Sequence, residues 1–532
     1  TVARHGMVAA AHPLAVLVGV ETLKKGGSAV DAAIAVNAAL AFMEPVACGL
    51  GGDLFAMVYD PATNTLYGLN ASGRAPKALT AEKVSPAADG TVPLHSPYAW
   101  TVPGCVDGWF ELHQRFGKLA MEEILAPAIA YAREGVPVPQ VIAGAWARGA
   151  AVFRGKPGFA EVFLPQGRAP KEGEVFANPA LARTLSFLAQ KGRDAFYRGE
   201  IAEKIVAYSR ANGGFFALED FAEHRSAWVE PISVKYRGFE VWELPPPTQG
   251  LAALEMLNIL EQFDLRSLGR ENPDFWHLMV EAKKLAFADR ARYYADPAFA
   301  AVPVQQLLSK AYAAQQASRI DLRRAAAAVE PGNPALAQGD TTFLATADAS
   351  GMMVALIQSN YTGFGSGYVI PELGFGLQNR GALFSLKPDH PNRLAPGKRP
   401  FHTIIPAFLG KDNKPLMAFG VMGGDMQPQG HVQIVVNIVD FGMNLQEAGD
   451  APRFYHTGSA EPTGTTMTDV GRLSLESGIP PAVRFELLRR GHRLVESLGT
   501  AFGGYQAILR DPVTGVYFGA SESRKDGLAL GY

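Results

Sequence analysis

Apolar positions recur at helical spacing through the first two thirds of the chain and gather into short, turn-bounded runs in the last third. Pro13 stands where a first helical turn tolerates it, apolar residues follow, and Lys24, Lys25, Gly26 and Gly27 close that segment. Ser28, with Asp31 three residues on, makes a capping-box pattern that opens an Ala-rich helix to about Met43, stopped before Pro45. Length and spacing predict further helices over 121–134, 179–190, 201–211, 251–263 and 273–294. TTFLATAD and MMVALIQSNY read as two strands around the turn 349–351. Helices early and strands late give an α+β class, and no repeat at solenoid or propeller periods is present.

Composition narrows the function classes. A chain of 532 residues, 48% hydrophobic, buries a sizeable core, and 49 basic against 51 acidic residues leave no field for nucleic acid or an anionic membrane. Cys48 and Cys105, the only cysteines, are too few for a disulfide framework or a thiolate metal site and are expected as buried thiols. No H-E-x-x-H spacing appears among the histidines, so no metal or organic cofactor is expected, and His431 is expected to cap or pack against a helix start. The longest apolar run, AVNAALAFM, is too short to span a membrane and reads as a buried helix. No signal-peptide pattern opens the chain, although residue 1 is Thr; the expectation is a cytoplasmic protein, or a periplasmic one if a leader has been removed.

The chemistry concentrates at Asp340-Thr341-Thr342, where RRAAAAVEPGNPALAQGD, a solvated, cleavable connection, runs into a strand. A break before Thr341 gives that residue a free amine beside its hydroxyl, so one residue supplies both nucleophile and base. Further on, PLMAFGVM hands over to Gly423-Gly424, a turn whose unshielded amides suit a tetrahedral oxyanion.

With these features in place, the chain resembles the γ-glutamyltranspeptidase family of N-terminal-nucleophile hydrolases. The resemblance runs from GGSAVDAAIA and EPVACGLGGD through VPGCVDGW, GGFFALEDF, YRGFEVWELPPPTQG and ADRARYYADP to GKRPFHTIIP, VMGGDMQPQGH and EAGDAPRF. It implies a four-layer α/β/β/α sandwich and a precursor that cuts itself before Thr341. The products would be a large subunit, 1–340, and a small one, 341–532, intertwined as one unit. It also implies Thr341 as nucleophile, Gly423 and Gly424 as the oxyanion hole, and Ser359 as the hydroxyl that hydrogen-bonds the nucleophile. Gly51-Gly52 resembles a loop that approaches the active site.

The chain departs from the family where a γ-glutamyl group is gripped. Leu383 replaces the acid before Phe384-Ser385, Arg380 brings a positive charge three residues earlier, and Tyr361 replaces a small amide. His402 and Thr403 replace the serine pair that holds a carboxylate, and Ser72 takes the place of the family arginine, with Arg74 two residues on. The expected substrate-binding set is therefore Arg380, Arg74, Tyr361, His402 and Thr403, serving a substrate with a carboxylate and no amino group. This resembles the oxamate amidohydrolases and implies oxamate and water as substrates and oxalate and ammonia as products. A γ-glutamyltransferase or glutathione hydrolase is the alternative.

Overall fold

The computed structural model describes residues 1–329 and 340–532. The part of the connection at 330–339 lies outside the described residues.

Two seven-stranded antiparallel sheets lie at the centre. In chain order their strands are Val2–Ala3 (β1), Met7–Ala10 (β2), Asp53–Asp60 (β3), Thr65–Ala71 (β4), Ala227–Val229 (β5), Ile232–Tyr236 (β6) and Phe239–Glu243 (β7). Then follow Asp340–Ala347 (β8), Met353–Tyr361 (β9), Ala407–Lys411 (β10), Lys414–Met422 (β11), Gly504–Arg510 (β12), Tyr517–Ser521 (β13) and Leu528–Gly531 (β14). One sheet runs β1-β13-β12-β11-β10-β7-β6 and the other β14-β2-β8-β9-β3-β4-β5. Each draws strands from both sides of Asp340-Thr341. The expected crowding of strands into the last third is thus only half of the picture. β2 (MVAA) and most of β3 (DLFAMV) are buried on both faces and show no polar alternation, which hides them from a period-two reading.

Three cores separate four layers. Phe343, Ala345 and Ala347 of β8 meet Phe408, Ala418, Met422 and Ile508 of the facing sheet in a core between the sheets. The alternate residue Leu344 joins the outer core under the helices Pro13–Lys24 (α1) and Ala29–Met43 (α2). On the far side, Gly250–Leu260 (α3), Pro273–Tyr293 (α4) and Met426–Val439 (α5) cover the other sheet. This is the α/β/β/α sandwich.

The predicted helices are present, with ends moved by a few residues: 179–190 is Pro179–Lys191 and 251–263 stops at Leu260. The Ser28–Asp31 capping box forms as the spacing dictates. All of α2 is buried, and β8 holds its start: Thr346 donates to the Ala29 carbonyl at 2.6 Å, and Asp348 accepts from the Ala29 N–H at 2.8 Å. Both cysteines are free and buried. His431 lies inside α5, its Nδ1 2.7 Å from buried Glu243, so it packs within the helix and does not cap it. Among the described residues no helix is long and apolar enough to cross a membrane.

Candidate active site

Thr341 lies at a break in register. Asp340 pairs with Tyr361 and Thr342 with Gln358, so β9 carries an extra residue there, Ser359 and Asn360 together standing opposite Thr341. As successive residues of β8, the two threonines point to opposite faces of the sheet. Thr342 Oγ1 donates to Glu44 at 2.6 Å, while Thr341 Oγ1 lies 3.3 Å from Ser359 Oγ. The Ser359 hydroxyl also accepts the Tyr361 N–H at 2.8 Å. Tyr361 has φ +81°, a left-handed conformation that costs a non-glycine residue about 1–3 kcal/mol and persists only where the surroundings enforce it. Strain and bulge therefore coincide on β9, opposite the candidate nucleophile. Thr341 itself is only 2% exposed.

The loop before β3 reaches the same spot. A Cβ at Gly52 would stand 2.5 Å from the Ser359 carbonyl, and Gln358 brackets Gly49 with bonds of 3.0 and 2.8 Å. This close approach is what the GLGG run provides.

β11 ends in Gly423-Gly424, with φ +123° and +57°. Among the described residues neither amide N–H has an acceptor. The turn is braced from behind. Gln249 Nε2 donates to the carbonyls of Thr403 and Gly424 at 2.6 and 2.9 Å, and Arg290 Nη1 donates to Gln249 Oε1 and Asp425 Oδ1 at 2.5 and 2.7 Å. Arg290 also contacts Glu461 at 2.5 Å. Burial pushes the Asp425 carboxyl up, but the Arg290 guanidinium outweighs it and holds the group below the usual range.

Arg380 opens a short 3₁₀ turn, Arg380–Leu383, and is wholly buried. Its Nη1 donates to Thr403 Oγ1 at 2.7 Å and its guanidinium lies 4.7 Å from the Tyr361 ring centre. Its Nε and Nη2 have no acceptor among the described residues. Burial lowers the guanidinium to about 10, which leaves it charged at neutral pH. His402 is also buried, with both ring nitrogens unpartnered; burial, together with Arg380 and Arg399, keeps it well below its usual range and neutral. Leu383 is a core residue, as its apolar character demands.

Two features add to the sequence expectations. Arg74 is half-buried, and its Nη1 donates to the Arg225 carbonyl at 3.3 Å, a carbonyl that Arg399 Nη2 also bonds at 2.9 Å. Arg399 is the inner arginine, bonded to the Ser72 carbonyl at 3.1 Å and close enough to Asp53 and His402 to act on their protonation. Arg380 also has an acid nearby. Asp53, fully buried, lies 3.7 Å from His402 Nε2, too far for a hydrogen bond, and Arg380 is its foremost charged neighbour. Burial raises its carboxyl to about 6.

Asp53, Gln249, Arg290 and Asp425 were not singled out from sequence, although each lies within a motif quoted above. For Asp53 the deciding fact is register, since it sits directly across from Ser359 on the neighbouring strand.

Among known proteins, the γ-glutamyltranspeptidase family model matches residues 15–532. A glutathione hydrolase-like proenzyme of Bacillus subtilis is 37% identical over 99% of this chain and 98% of its own. The oxamate amidohydrolase proenzyme of Klebsiella pneumoniae is 38% identical over 100% and 99%. The crystal structure of cephalosporin acylase from Bacillus halodurans superposes with a TM-score of 0.92 at 44% identity, covering 100% of this chain and 96% of that one.

Proposed function

Since the chain belongs to the γ-glutamyltranspeptidase family of amide-cleaving N-terminal-nucleophile hydrolases, we propose that it cuts itself before Thr341 and then hydrolyses a small carboxylate-bearing amide, oxamate first among them. The observation that carries this reading is the buried Arg380, with two unpartnered guanidinium nitrogens next to the Tyr361–Ser359–Thr341 chain of contacts. A buried unpaired cation is costly, and a substrate carboxylate is the group that relieves it.

In maturation the Thr341 hydroxyl attacks the Asp340 carbonyl, the peptide nitrogen becomes the Thr341 amine, and water cleaves the resulting ester. The subunits are then 1–340 and 341–532. In turnover the Thr341 amine takes the hydroxyl proton as Oγ attacks the amide carbon, and the Gly423 and Gly424 amides stabilise the oxyanion. The proton passes to the departing ammonia, and water then releases the acid. Ser359 orients the nucleophile; Arg380 and Thr403 bind the carboxylate, with Tyr361 stacked on the guanidinium and neutral His402 at the edge. Arg74 has no direct part in this reading.

A panel assay tests it: ammonia release from oxamate, glutamine and glutaric monoamide beside a γ-glutamyl anilide. Oxamate turnover exceeding that of the γ-glutamyl compounds supports the reading. Glutathione or γ-glutamyl anilide turned over much faster than any amide without an amino group replaces it with the glutathione hydrolase activity after which several relatives are named.

A further inference from the structure

Gln249 stands just before α3, yet its side chain does not cap the helix. Fully buried, it crosses instead to two segments from the far side of Thr341 in the chain. Its Nε2 donates to the Thr403 carbonyl at 2.6 Å and to the Gly424 carbonyl at 2.9 Å, and its Oε1 accepts from Arg290 Nη1 at 2.5 Å. Both amide donors and the acceptor are thus used. A guanidinium can only donate, so Arg290 decides which end of the amide faces the two carbonyls.

Those carbonyls belong to two separate parts of the site. Thr403 carries the hydroxyl that Arg380 Nη1 bonds at 2.7 Å, and Gly424 is the second glycine of the oxyanion turn. Two successive glycines with positive φ have no side chains to hold them, so bonds to their carbonyls must fix the turn. On its own side the Gln249 backbone is anchored: Thr248 bridges to His402, whose N–H donates to the Pro247 carbonyl at 2.8 Å. On the other side Arg290 binds Asp425, the residue after Gly424, at 2.7 Å, which closes a ring of contacts through Gln249, Gly424, Asp425 and Arg290. A second tie between the same segments, the Ile405 N–H to Gln427 Oε1 at 3.0 Å, lies farther from the turn.

We propose that Gln249 is a positioning residue that sets the distance between the carboxylate-binding wall and the oxyanion turn, and with it the length of acyl group the enzyme cleaves. The proposal rests on the carboxylate reading given above and deepens it. A carboxylate held by Arg380 and Thr403 and an amide carbonyl held by Gly423 and Gly424 are the two ends of one acyl chain, so a fixed separation favours one chain length. Gln249 acts through backbone carbonyls on both ends. A misplacement of about 1 Å at the reacting carbonyl costs up to about a hundredfold in rate.

Steady-state kinetics on oxamate and the monoamides of malonic, succinic and glutaric acid tests this. The unmodified enzyme should favour one length by about tenfold or more in kcat/KM over the others. Gln249→Glu keeps the size and the acceptor for Arg290 but replaces both donors, and Gln249→Met keeps the length without polar atoms. Each should lower kcat for the favoured amide by about ten- to a hundredfold, leave its KM within about threefold, and level the length preference to within about threefold. A residue that merely supports the fold would slow all four amides in proportion and leave the preference intact. That outcome, an unchanged kcat, no length preference in the unmodified enzyme, or failure of both variants to cut before Thr341 by intact mass overturns the proposal. Arg380→Met on the same panel separates it from the carboxylate reading. Activity equal to that of the unmodified enzyme on all four amides sinks that reading; loss of activity there, with the length preference intact in both Gln249 variants, sinks the role of Gln249 alone.

Discussion

A hydroxyl 3.3 Å from Thr341 Oγ1 that also accepts a backbone N–H is a fixed partner for a nucleophile, and its removal should slow chemistry more than binding. Ser359→Ala is expected to lower kcat for oxamate by about ten- to a hundredfold with KM nearly constant, and Ser359→Thr to restore most of it. Steady-state kinetics on both variants checks this; an alanine variant as fast as the parent contradicts it. Arg380→Met should instead lose a similar factor in kcat/KM, since its charge-assisted hydrogen bonds go to the substrate. Ser359, Thr403 and Arg380 were legible because the motifs around them are punctuated and local. Asp53 was not, because its partner Ser359 lies about three hundred residues away and only strand pairing brings them together. Arg74 was singled out from its motif, while Arg399, which shares the Arg225 carbonyl with it, was not.

At the scale of elements, the nucleophile's position depends on how β8 meets β11. Gly420 lies against Phe343, two residues past Thr341, and a Cβ there would be 2.6 Å from the ring. Gly420→Ala should therefore push Phe343 and the start of β8 away, costing about 1–3 kcal/mol and slowing self-cleavage. Thermal melting together with a time course of band appearance on denaturing gels reads both effects; unchanged melting and unchanged maturation refute the packing argument. The helices were readable from their caps and apolar spacing, Ser28 and Asp31 above all. The early strands were not, since strands buried on both faces carry no alternation to distinguish them from helical segments.

For the molecule as a whole, the intertwined sheets imply that a cut before Thr341 leaves one particle, because each sheet draws strands from both sides of it. The buried Asp53 adds a pH signature. Its carboxyl is raised from 3.8 to about 6 by burial, with Arg380 and Arg399 opposing; His402, beside it, is neutral. A raised acid contributes its full stability below its unfolded value and loses it as pH climbs through about 6, a cost of about 3 kcal/mol at neutrality. Asp53→Asn should therefore gain melting temperature relative to the parent between pH 4 and pH 8. A constant difference across that range removes Asp53 as the titrating group.

Both maturation and turnover begin at Thr341, and intact-mass analysis of freshly purified protein is the direct measurement. Two chains, 1–340 and 341–532, are expected, with Thr341→Ala remaining a single inactive chain of 56.9 kDa. A second chain beginning at any other residue, or an alanine variant that still cuts there, contradicts it.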